Sequence, residues 1–116
     1  MDIYHIWCDL KPGVSDLEFC ARVSVYMTHL KDGGKISNFR ITRRKLGLGP
    51  AEMAEFHITL ETENLAQLDE AFQHVASRSG EVESFHHAVN SQVSSVKFAL
   101  YRDFPDAVRK TGEERF

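Results

Sequence analysis

In the stretch from Met53 to Glu61, apolar and polar residues alternate without a break from Ala54 onward. Ala54, Phe56, Ile58 and Leu60 fall on one side, and Glu55, His57, Thr59 and Glu61 on the other. A period of two is what an extended strand imposes and what a helix cannot satisfy. The start of the chain repeats the pattern, with Tyr4, Ile6, Cys8 and Leu10 set against Ile3, His5, Trp7 and Asp9. Each strand thus carries a histidine on the face away from its apolar one. Laid side by side, the two strands bring His5 and His57 together, and a functional site is expected there.

The length of 116 residues suits one domain with a single core; residues 1–104 are expected to form it and residues 105–116 a short C-terminal extension. A hydrophobic fraction of 42% and a charged fraction of 27% are those of an ordinary globular protein. No apolar run approaches the roughly 20 residues of a membrane span, and no basic stretch precedes an apolar one at the start. A cytoplasmic protein without a membrane partner is expected. The net charge of -3 gives no global pull toward nucleic acid. Arg40, Arg43, Arg44 and Lys45 form a local basic cluster, read as a solvated strand edge guarded against edge-to-edge pairing. Cys8 and Cys20 match neither a C-x-x-C motif nor a zinc spacing and read as small core residues in a reducing compartment.

The first strand, about 2–10, stops at Lys11-Pro12-Gly13. Ser15 and Glu18 then have the spacing of a capping box. Phe19, Val23, Tyr26, Met27 and Leu30 recur at helical intervals until Gly33-Gly34, a left-handed stop. A second strand is expected over about 35–46, where Phe39 and Ile41 alternate with Asn38, Arg40, Thr42 and Arg44. The glycine-rich stretch 47–50 makes a loop that returns antiparallel into the 53–61 strand. Asn64 and Gln67 repeat the capping spacing ahead of Leu65, Leu68, Phe72 and Val75, a second helical stripe. Ser79-Gly80 breaks it. Val82, Phe85, His86 and Val89 fit a short third helix, and a last strand over about 93–102 sets Val96, Phe98 and Leu100 against Lys97, Ala99 and Tyr101. Beyond it a short helical turn and a mobile tail are expected.

This order, strand, helix, strand, strand, helix, strand, is the split β-α-β arrangement of an α+β ferredoxin-like fold. The expected sheet order is 4-1-3-2, with the first and third strands parallel at its centre and both long helices on one face. Tyr4, Ile6, Phe39, Ile41, Phe56, Ile58, Leu60, Phe98 and Leu100 then form the core. The opposite face carries His5, Trp7, Asn38, Arg40, Glu55, His57 and Tyr101, far from the bland polar set of a solvated sheet surface. A tryptophan there exposes about 150–250 Å² that needs cover.

The element order, the length, the first strand bearing His5 and Trp7, and the short helix before the last strand together resemble the dimeric α/β-barrel superfamily, with its stress-responsive A/B-barrel proteins, antibiotic-biosynthesis-type monooxygenases and certain polyketide cyclases. The resemblance is one of topology and covers nearly the whole chain. It implies a homodimer in which two sheets close face to face, each subunit keeping a pocket between sheet and helices or within the barrel. It also implies a small-molecule ligand, aromatic or polyketide-like, and cofactor-independent oxygenation or cyclisation.

On the residues themselves, parallel register puts His5 beside His57, with strand axes about 4.8 Å apart. The two are then either half-buried histidines satisfied by hydrogen bonds or a general acid and base, with Glu55 placed to orient His57. Two imidazoles and a carboxylate also permit a metal, but no local spacing such as H-x-E-x-H supports one, and neither metal nor cofactor is expected. Trp7 and Tyr101 are candidates to line an aromatic ligand, Arg40 to clamp a carboxylate or phenolate or else to pair with Glu55, and Asn38 to supply a further polar contact. His86 is expected at the core or dimer boundary and His87 in solvent, because adjacent helical residues diverge by about 100°. His29 and His74 sit near helix ends, where the dipole favours them. The alternative to a ligand-binding dimer is a non-catalytic, regulatory or stress-related module whose polar sheet face is only an interface. RNA binding is disfavoured, since Glu55, His57 and Thr59 stand where a recognition sheet needs aromatics.

Overall fold

A computed structural model describes residues 1–77 and 80–105, and the backbone alone at 81, 82 and 85. The elements are β1 (Asp2–Leu10), α1 (Asp16–Asp32), β2 (Asn38–Arg43), β3 (Phe56–Thr62), α2 (Leu65–Ala76), α3 (Gly80–Asn90) and β4 (Val93–Arg102). They build one four-stranded sheet in the order β2-β3-β1-β4, an α+β ferredoxin-like fold. Among the described residues no helix is long and apolar enough to cross a membrane.

All the strand pairings are antiparallel, including β1 with β3, which corrects the parallel centre expected from sequence. The reason is topological. The α1 crossover returns β2 in the direction of β1, the turn after β2 reverses the chain, and β3 slots between them pointing the other way. The register changes with the direction: Trp7 lies opposite His57, and His5 opposite Thr59.

Local chemistry fixes the helix ends. Ser15 Oγ accepts the Glu18 N–H at 3.3 Å, but the Glu18 carboxylate turns to Arg22 one turn on, at 2.6 Å, so half of the expected capping box forms. The reciprocal cap is at α2 instead: Asn64 Oδ1 accepts the Gln67 N–H at 2.9 Å, and Gln67 Oε1 accepts the Glu63 N–H at 2.7 Å. α1 ends where Gly34 takes φ +73, and the Lys35 N–H then reaches Leu30 O at 2.9 Å. β2 and β3 are shorter than their apolar patterns because Arg44 donates to the carbonyls of Pro50 and Met53, folding 44–55 into a loop. The basic cluster is therefore more than a solvated edge. Arg43 joins Asp16 of α1 to Glu55 at 2.6 and 2.7 Å while lying over the Phe56 ring.

The core packs Phe19, Val23, Tyr26, Met27 and Leu30 of α1 against Cys8, Phe56, Ile58 and Leu60 of the sheet, with Tyr4, Ile6, Phe39 and Ile41 partly buried around them. Phe98 and Leu100, expected in the core, are 58% and 52% exposed. They point to the helix side, but β4 is an edge strand, α1 and α2 lean on β2 and β3, and α3 packs mainly on α1. The helix layer thus stops short of β4. The chain after β4 runs at Asp103–Pro105 without helix, its end tied back by Asp103 N–H to Met1 O at 3.1 Å; the expected tail lies outside the described residues.

Candidate functional site

On the sheet face away from the helices, Trp7, His57 and His5 form a continuous stack. The Trp7 and His57 rings lie 4.5 Å apart and 6° from parallel, and His5 follows at 5.1 Å from His57 and 5.4 Å from Trp7. Tyr101 of β4 reaches past Ala99, the residue opposite His5, to set its ring edge-to-face on His5 at 4.7 Å. His5 and His57 are diagonal rather than opposite partners, yet the imidazoles meet, His5 Nδ1 standing 2.9 Å from His57 Nε2. A diagonal on one face is within the reach of aromatic side chains. Alternation puts the two histidines on one face whichever way the strands run, so they meet in spite of the reversed direction.

The histidine pair is half-buried, and burial holds both ring pKa values below the usual 6.5, the neighbouring His5 adding to the effect on His57. One nitrogen of the bond donates and the other accepts. His5 Nε2 is left buried with no hydrogen-bond partner among the described residues.

The remaining residues expected at this site separate from it. The Glu55 carboxylate is taken by Arg43, and the Glu55 N–H donates to Asp9 Oδ1 at 3.0 Å, so it does not orient His57. The expected Arg40–Glu55 pair is thereby replaced by Arg43–Glu55. Arg40 is exposed on β2 opposite Thr59, at the margin of the stack. Asn38 lies at the far end of β2 opposite Glu61, where Lys31 Nζ approaches it at 3.5 Å. Among the described residues no group of three or more His, Cys, Asp or Glu is placed to hold a metal.

A second site lies on the other side of the sheet, one of the two places where the resemblance implies a pocket, and its residues were not singled out from sequence. Because the helices stop short of β4, a cavity of about 360 Å³ opens between sheet and helices. Its wall is mostly apolar, from Val23 and Met27 of α1, Ala71 of α2, and Ile6 and Ile58 of the sheet. Tyr26 and His86 both line it and meet edge-to-face, ring centroids 6.0 Å apart and near perpendicular. The Tyr26 hydroxyl is pushed up to about 12 by burial, with the charge of Glu83 adding to it. It is a hydrogen-bond donor at any ordinary pH. At the rim Tyr4 sits between Phe72 at 5.1 Å, edge-on, and Phe98 at 5.7 Å, stacked. Tyr26 reads in sequence as one more member of an apolar stripe; what periodicity does not register is that the opposing β4 residues leave the space beside it unfilled. His86, expected at the core boundary, lines this cavity, while His87 is exposed. His29 and His74, besides sitting in last turns, stack on each other at 6.2 Å.

Comparison with known proteins agrees with this architecture. The model of a family of unknown function, DUF6614, matches residues 1–116. The chain belongs to this family.

The DUF6614 chain finds no match among curated proteins. Solved structures share its fold at low identity. The protein At3g17210 of Arabidopsis thaliana superposes with a TM-score of 0.72 at 10% identity, over 93% of this chain and 100% of that one. A dimeric ferredoxin-like protein of unknown function from Jannaschia sp. CCS1 gives 0.64 at 9%, over 89% and 100%. SnoaB, a cofactor-independent oxygenase from Streptomyces nogalater, gives 0.65 at 6%, over 93% and 96%. The DUF6614 chain shares a fold with all three.

Proposed function

We propose that the protein is a homodimeric small-molecule-binding protein that takes a planar, largely apolar ligand into the cavity between its sheet and helices. The observation that carries this reading is the cavity itself. Its volume of about 360 Å³ lies in the range of ligand sites, and it has a mostly apolar wall with polar groups converging from α1 and α3. Tyr26 donates a hydrogen bond to a ligand oxygen, and His86 is positioned as a proton acceptor, so the pair suits acid–base chemistry on a phenolic or enolic ligand without a cofactor. Cyclisation, or oxygenation of an electron-rich ring in keeping with the fold shared with SnoaB, is the corresponding reaction class. The homodimer is supported by the ferredoxin-like neighbours described as dimeric and by the aromatic outer face, which a second copy would cover.

Titration with 2-naphthol by calorimetry tests the reading. The wild type is expected to saturate with one site per subunit. Ala71→Trp, which fills the cavity, is expected to abolish the heat while the far-ultraviolet dichroism stays that of the wild type. Equal binding by the filled variant would end the proposal.

A second reading has one observation in its favour, the partnerless His5 Nε2 beside a direct imidazole–imidazole bond. In it the ligand occupies the chamber between the two sheets, lined by Trp7 and Tyr101 with Arg40 and Asn38 at its margins, and His57 and His5 act as base and acid, with Glu55 held by Arg43 near the chamber floor. Loss of 2-naphthol binding in His57→Ala, with Ala71→Trp unaffected, would favour it over the first.

A further inference from the structure

The outer sheet face carries a pair of groups that respond to pH and are placed where association would bury them. His5 and His57 share one hydrogen bond of 2.9 Å between ring nitrogens. Such a bond needs one donor and one acceptor, so the pair accommodates no more than one added proton before the nitrogens repel. With one added proton both outer nitrogens carry hydrogen whichever ring donates, so His5 Nε2, a buried atom without an acceptor among the described residues, is then an N–H. The rings on both sides, Trp7, His57 and Tyr101, offer stacking but no carboxylate.

The charges that face the pair come from every strand. From β2, Arg40 stands opposite Thr59, the residue next to His57 on its face, and from β4, Lys97 stands opposite Trp7. Both are cations and oppose a third positive charge between them. From β1, the Asp9 carboxylate is engaged by the Glu55 N–H and the Ser95 hydroxyl at 3.0 and 3.2 Å, and from β3, Glu61 lies opposite Ile3, diagonal to His5 on the same face, without a hydrogen bond to His5 Nε2. The Glu55 carboxylate is turned to Arg43.

We propose that the His5–His57 pair makes the association of two copies through this face proton-sensitive, the dimer holding at neutral pH and separating as the pair takes up protons. The inference rests on the homodimer reading above. A second copy laid over the stack removes the water that remains around both rings and strengthens the penalty on the charged form. The sign follows. Proton affinity is higher in the separated chains than in the dimer, so association is at full strength above the pH at which the separated chains take up protons, already held below the usual histidine value by burial, and weakens as pH falls through it.

Sedimentation velocity on the full chain between about pH 8 and pH 5.5 tests this, for the wild type and for His57→Phe, which keeps a stacking ring but does not titrate. The wild type is expected to be a dimer at the upper pH, with a dissociation constant rising more than about tenfold by the lower, as uptake of a proton per subunit requires. His57→Phe is expected to show a dissociation constant that does not change with pH. A wild type that is monomeric throughout would sink the homodimer reading itself. A dimer whose constant is indifferent to pH, or one whose pH dependence survives in His57→Phe, would overturn the inference and leave the homodimer standing. Should His57→Phe fail to fold, proton resonance of the wild-type imidazoles decides: titration of both rings at ordinary histidine values in the dimer would contradict it.

Discussion

Cys8 and Tyr26 border the same cavity, and burial acts on both in the same sense. The Cys8 thiol is pushed up to about 11 by desolvation, with the Asp9 carboxylate adding to it, and Cys20 on α1 is only partly covered. A thiol reacts as its thiolate. At about pH 8, Ellman's reagent is therefore expected to titrate one thiol rapidly, at Cys20, and the second only on unfolding; two equally fast thiols would show that Cys8 is not packed as described. Tyr26 gives the functional counterpart. Tyr26→Phe keeps the ring and removes the donor, which at about 1 kcal/mol for a neutral hydrogen bond weakens 2-naphthol about fivefold, with little change in thermal stability. At this scale the sequence is informative where a residue's face decides its neighbours, as for His5, Trp7 and His57. It is silent where a competitor decides: Glu55 belongs to the face of His57 by alternation, and only the position of Arg43 draws it away.

Each helix end depends on one or two side chains, and these make separable tests. Asn64 caps α2 at 2.9 Å, and Asn64→Ala is expected to cost about 1 kcal/mol in denaturant unfolding with an unchanged slope. Gly34 holds φ +73 at the end of α1, and a methyl added there would meet no atom within 4 Å, so Gly34→Ala meets only backbone strain, about 1 kcal/mol. A larger loss at either position would mean that the cap supports more than its own helix. The elements themselves are legible because periodicity and turn chemistry agree in each. Strand direction is legible as well, since a crossover followed by a hairpin sets β3 against β1, and the parallel expectation misapplied that combination. The extents of β2 and β3 are not, because the Arg44 contacts that fold the intervening loop join residues whose spacing carries no pattern.

At the scale of the molecule, the decisive feature is a shortfall: the helices packed on the four-stranded sheet leave its β4 side uncovered, with Phe98 at 58% exposure beside a cavity of about 360 Å³. Apolar alternation assigns Phe98 and Leu100 to the core, and it identifies the face correctly, but the amount of helix available to cover that face is a tertiary property. The resulting space is the one the proposed ligand would occupy. The most direct measurement is a crystal structure of the protein soaked with 6-bromo-2-naphthol and phased on the bromine. The account predicts an anomalous peak between sheet and helices, the naphthol ring in contact with Tyr26 and His86. A peak on the outer sheet face beside Trp7, with the inner cavity empty at saturating ligand, would contradict it.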